Sequence, residues 1–192
     1  MPETFTITEM ADVLAGRCAS DEQKALLHRQ IRIFHKKGFL PIKAVKDARG
    51  TAEFDTLCLY RVRVLSALVS TGFDSDTHLF REVIRAMTDN DYFSLFVAPS
   101  TVVDANGTRR LLGGLGDAVR GVAAGEKWLL TMSHQTPYLH GIRDCTAVFH
   151  HADDESVTRP TIVEGTAYKT VFRGTIFLND LFEGLPEVRR DA

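Results

Sequence analysis

The chain has 192 residues, of which 44% are hydrophobic and 25% charged, and its formal net charge is −2. This balance excludes a collagen-like, low-complexity or wholly disordered chain, because enough apolar surface exists to offset the entropy of ordering. The near-neutral total argues against a uniformly basic nucleic-acid binder, but it averages over two unlike halves. Residues 1–88 carry 13 Lys and Arg against 11 Asp and Glu; residues 89–192 carry 10 against 14.

Thr6 and Glu9 have capping-box spacing, and Ile7, Met10, Ala11 and Leu14 fall on one helical face, so a short helix is expected up to Gly16. Ser20 and Gln23 repeat the box and open a second helix over 20–37. Its core stripe is Leu27, Ile31 and Phe34, and Arg29, Arg32 and Lys36 lie on a different face. Gly38 is a C′ glycine, and Phe39-Leu40-Pro41 leaves the helix. Residues 42–54 predict two short strands around a turn near Asp47–Gly50, decorated by Lys43, Lys46 and Arg49. A third helix spans 55–71, with Cys58, Val62, Leu65 and Leu68 or Val69 inward. Asp74 or Ser75 caps a fourth, with Leu79, Val83 and Met87 inward.

The forty residues Lys24–Arg63 hold ten basic residues against Asp47, Glu53 and Asp55, a local charge of +7. His28 and His35 add to it below about pH 6.5. Such a patch is the footprint expected of phosphate-backbone contact. Helix, helix, basic hairpin, helix, helix is the plan of a winged helix-turn-helix.

The segment resembles the DNA-binding domain of MerR-type transcriptional regulators over residues 5–88. Ile7-Thr8-Glu9-Met10-Ala11 is similar to that family's opening helix. Gln30 to Pro41 resembles its Thr-Leu-Arg-Tyr-Tyr-Glu-x-x-Gly-Leu-Leu-x-Pro signature, Gly50 to Phe54 its wing, and Gly72-Phe73 its step into the fourth helix. The chain departs from the pattern in a longer link at 17–29, in Ala52 where the wing has arginine, and in Ile33-Phe34 where the family has a tyrosine pair.

The resemblance implies a sequence-specific DNA-binding regulator of transcription. Its recognition helix, 20–37, would lie in the major groove and its wing, 42–54, on the backbone. Arg29, Arg32, Lys36, Lys43, Lys46 and Arg49 would hold phosphates, and Gln30 and His35 would meet base edges. The expected partners are double-stranded DNA, a second copy of the chain, and RNA polymerase or another protein. The alternatives are an adaptor or anti-repressor whose basic domain docks an acidic protein, and a phage-type architectural DNA binder.

The division expected is 1–88 as the winged domain and 89–192 as a dimerisation, sensing or partner module of mixed α/β or mostly β character. In that module Tyr92–Val97, Trp128–Met132, Cys145–His150 and Ala167–Phe172 are strand candidates. Thr101–Val103 and Thr108–Leu112 flank an Asn-Gly turn, Leu115–Ala124 is helical, and Asn179 follows Thr175–Leu178 as an N-cap.

His134, His140, His150, His151, Asp153 and Asp154 lack metal-ligand spacing, and Gly113-Gly114-Leu115-Gly116 lacks the ending of a phosphate loop. No enzyme activity, cofactor or metal is therefore expected. Cys18, Cys58 and Cys145 contain no C-x-x-C pair and read as reduced thiols. No apolar run reaches the roughly 18–20 residues of a bilayer span, and no signal-peptide pattern opens the chain, so a cytoplasmic protein without membrane contact is expected.

Overall fold

Both capping boxes form. Thr6 Oγ1 accepts from the Glu9 N–H at 3.4 Å and the Glu9 carboxylate accepts from the Thr6 N–H at 2.7 Å. Ser20 and Gln23 do the same at 3.2 and 2.9 Å. Each pair satisfies donors that a helix start otherwise leaves open. They begin α1 (Ile7–Ala15) and α2 (Asp21–Lys36).

A computed structural model describes residues 4–16, 18–45, 50–74, 77–87, 101–103, 109–111, 114–137, 144–153 and 168–186. The fold is mixed α+β, with antiparallel sheets. The strand candidate at Tyr92–Val97 lies outside the described residues.

The end of α2 follows from Gly38. At φ 74° it occupies the left-handed region that glycine enters without a Cβ penalty. Its N–H reaches the His35 carbonyl, and the Phe39 N–H reaches the Phe34 carbonyl, both at 2.9 Å. This is a Schellman closure, completed by the Phe34 and Phe39 rings at 6.4 Å. The chain then forms β2 (Ala44–Val45) and β3 (Ala52–Asp55), paired antiparallel. A strand that periodicity does not announce, β1 (Thr4–Phe5), adds to the other edge of β3 and sets Phe5 opposite Phe54.

Asp55 caps α3 (Thr56–Ser70) by accepting from the Cys58 N–H at 2.9 Å. Cys58, Val62, Leu65 and Leu68 are all buried, as their spacing predicts. Burial and the nearby Asp55 carboxylate push the Cys58 thiol well above its ordinary range, so it is an unreactive core group. Beneath α1 and α2 the core is Met10, Leu14, Ile31, Phe34 and Phe54.

Two compact units divide the chain. One comprises Met1–Gly72 with Phe182–Ala192, the other Phe73–Leu181. The first unit thus recovers a segment distant in sequence: the Tyr60 hydroxyl donates to the Pro186 carbonyl at 2.6 Å, and its ring meets Phe182 edge-on at 4.9 Å. Tyr60→Phe is expected to cost about 1 kcal/mol, since it leaves that carbonyl without its donor. Urea unfolding measures this, and an unchanged midpoint would remove the tie from the account.

The second unit contains α4 (His78–Met87), which packs on that unit's sheet. Leu79, Val83 and Met87 are inward, as their spacing predicts. The cap of α4 is Thr77, whose hydroxyl accepts from the Phe80 N–H at 3.3 Å, in place of the expected Asp74 or Ser75. The hairpin β4 (Thr101–Val103) and β5 (Arg109–Leu111) forms, and α5 (Leu115–Ala123) follows it.

Three strands make the larger sheet: β6 (Trp128–Pro137), β7 (Asp144–His151) and β8 (Tyr168–Phe177), in the order β7–β6–β8. The last is one continuous strand where the sequence reads two separate segments. Asn179 sits inside α6 (Leu178–Phe182) and is not its cap. Its carboxamide instead accepts from the Trp128 N–H at 3.0 Å and donates to the Glu126 carbonyl at 2.8 Å, clipping the link between α5 and β6. The indole of Trp128 lies so close to Gly121 that a Cβ there would stand 1.9 Å from Nε1, which excludes any larger residue at 121.

Candidate nucleic-acid interface

Positions 29, 32, 33 and 36 of α2 follow the i, i+3, i+4, i+7 spacing of one helix face. Arg29, Arg32, Ile33 and Lys36 are accordingly exposed together, opposite the buried Ile31 and Phe34. They line a cleft of about 630 Å³. Its other walls are Thr6, Ile7 and Thr8 where α1 begins, and Gly50, Thr51 and Ala52 where the chain enters β3.

Among the described residues no acidic side chain lines this cleft. Among the described residues no carboxylate pairs with Arg29, Arg32, Lys36 or Lys43, whereas Lys24 reaches Asp12 at 3.5 Å. A guanidinium or ammonium left without a counter-charge on a concave wall focuses positive potential outward. The α1 start adds N–H groups at the positive end of its dipole.

The remaining residues expected at the interface are placed differently. His35 lines the cleft but is half-buried, its ring edge-on to Phe54 at 5.3 Å. Its Nδ1 is enclosed and has no hydrogen-bond partner. Gln30 is turned toward α3, where its carboxamide oxygen accepts from the Ser66 hydroxyl at 3.3 Å, and it does not line the cleft. Lys43 is exposed, its backbone N–H donating to the Glu53 carbonyl at 2.8 Å; its side chain is not part of the cleft wall. Lys46 and Arg49 lie outside the described residues.

The +7 segment contains charge of two kinds. Arg61 is buried and donates to the Phe39 carbonyl at 3.2 Å; Arg63 is half-buried and donates to the Leu14 carbonyl at 2.9 Å. Arg63 thereby closes the carbonyl end of α1 and Arg61 holds the chain just past the end of α2, a structural use of positive charge. Burial pulls the Arg63 pKa below its ordinary value, because a guanidinium loses solvation there. Neither belongs to the outward-facing set.

No family model, curated protein or solved structure matches the chain. The arrangement of this cleft therefore stands on its own residues.

In the second unit, both ring nitrogens of buried His150 are occupied. Nδ1 is 2.9 Å from the His151 carbonyl and Nε2 is 2.9 Å from the Thr131 hydroxyl. In the neutral ring Nδ1 donates and Nε2 accepts, so His150 joins β6 to β7. His151 Nδ1 accepts from the Asp153 N–H at 3.3 Å. Among the described residues no three His, Cys, Asp or Glu side chains form a metal-binding group. Nor, among them, is any helix long and apolar enough to cross a membrane.

Thr6, Thr8 and Thr51 are cleft residues that sequence spacing does not reveal. They come together only when β1 joins β3. Ile33 had a signal, since it shares the helix face of Arg29 and Lys36.

Proposed function

We propose that residues 4–72 form a winged helix-turn-helix that binds double-stranded DNA, and that the chain regulates transcription. The observation that carries this is the cleft in which Arg29, Arg32 and Lys36 of one exposed helix face stand beside the start of α1 and the approach to β3, with no carboxylate among its described lining residues. An α-helix fits the major groove, and three cations along one face suit the phosphates on its rim. The hairpin β2–β3 serves as the wing, with Lys43 toward the backbone. Of the two expected base readers, His35 keeps this role through Nε2, while Gln30 serves helix packing. Two copies on a two-fold operator follow from the symmetry usual for such domains.

Selection from a pool of random duplexes, using the whole chain, tests the reading. Recovery of a shared motif whose affinity falls steeply with salt is expected. Failure to retain any duplex at low salt overturns it.

A second reading, docking of an acidic protein, draws on Leu26, Ile42 and Val45. These are apolar, more than half exposed and outside the cleft. Salt-sensitive capture of an acidic protein together with no duplex binding would favour it.

A further inference from the structure

Ile33 is anomalous on its helix face. It is 41% exposed, β-branched, and surrounded by cations: Arg32 precedes it, Arg29 lies one turn before and Lys36 one turn after. A β-branched residue is a weaker helix former than the leucine or lysine that an idle surface position would take. It nevertheless lines the same cleft as the two guanidinium groups and the ammonium. Leu26, two turns earlier and 58% exposed, does not line the cleft.

Charged neighbours can satisfy phosphates, but an aliphatic side chain can satisfy none. Among the groups that base pairs present in the major groove, the C5-methyl of thymine is the apolar one. An isoleucine with few χ1 options can bury a methyl with little loss of side-chain freedom.

We propose that Ile33 is a specificity-determining residue that packs on a thymine methyl, while Arg29, Arg32 and Lys36 hold the surrounding backbone. This rests on the DNA-binding reading above and names one base that the site prefers.

The test starts from the duplex selected by the whole chain. Each thymine is replaced in turn by uracil, which lacks only the methyl, and affinity is read by fluorescence anisotropy. At one position the replacement should weaken the native chain about fourfold, the scale of one buried methyl group. Ile33→Ala should bind the thymine and uracil duplexes equally, Ile33→Val should keep most of the discrimination, and Leu26→Ala should keep all of it. Position 33 is partly exposed, so these variants should melt with the native chain.

Two results overturn the proposal while DNA binding itself stands: a tightly bound duplex with no uracil-sensitive position, or a uracil penalty undiminished in Ile33→Ala. Absence of any duplex binding overturns both readings, so the two failures are distinguishable.

Discussion

Replacing Arg29, Arg32 and Lys36 together by alanine is expected to abolish measurable DNA binding at physiological salt and leave the fold intact. All three are exposed and unpaired with any described carboxylate, so their removal breaks no ion pair among the described residues and opens no cavity. Alanine is also the best helix former, so α2 should lose nothing in propensity. Each cation that neutralises a phosphate contributes through counterion release. The slope of log affinity against log salt should therefore become shallower by roughly one for each phosphate no longer held. Single substitutions should give a graded series, with loss that is uniform across DNA sequences because phosphates carry no base identity. Anisotropy titrations at several salt concentrations read both effects. A triple variant with the native salt slope would remove this face from the interface. A triple variant that also unfolds early would show that the cations support the helix.

Phe54→Ala should act in the opposite way, by destroying the scaffold. Phe54 is fully buried on β3, opposite Phe5 on β1, and lies against the edge of the His35 ring. Truncating such a ring costs about 3–5 kcal/mol, through lost transfer energy and the cavity left behind. Whole domains are stable by only about 5–15 kcal/mol. For a unit of this size the melting temperature should fall by roughly 15 °C or more. DNA binding should then vanish on warming well before it does in the native chain, while at low temperature the cations remain and some affinity survives. Thermal melts followed by circular dichroism, paired with binding at two temperatures, check this. A fall of only a few degrees would mean that the joint between β1, β3 and α2 is looser than its burial indicates.

These two substitutions mark the difference between a surface that binds and a core that positions it. They also bear on how the first unit should be isolated. A fragment ending at residue 88 lacks Phe182 and Pro186, which hold Tyr60, and carries α4 without the sheet that buries Leu79, Val83 and Met87. Binding measurements belong on the whole chain.

Elements whose signals are local were legible in the order of the amino acids. Thr6 with Glu9, Ser20 with Gln23, and Gly38 after Lys37 act within one helical turn, so side-chain reach alone decides them. The same is true of the cationic face of α2, because a 3.6-residue period follows from backbone geometry whatever the helix packs against.

Which face meets which neighbour depends instead on partners far away along the chain. Arg61 and Arg63 count as positive charge in a composition window, yet each is spent on a backbone carbonyl more than twenty residues away. Gln30 sits one residue from Arg29, but 100° of rotation turns it onto Ser66 of α3. Asn179 has the chemistry of a cap and instead clips a link some fifty residues earlier. The strand β1, only two residues long, has no period to detect and exists because β3 offers it an edge. The apolar stripe of α4 is legible, but not the core that it joins. In every case the deciding partner is distant in sequence, and nothing in a residue's own neighbourhood encodes which distant surface will cover it.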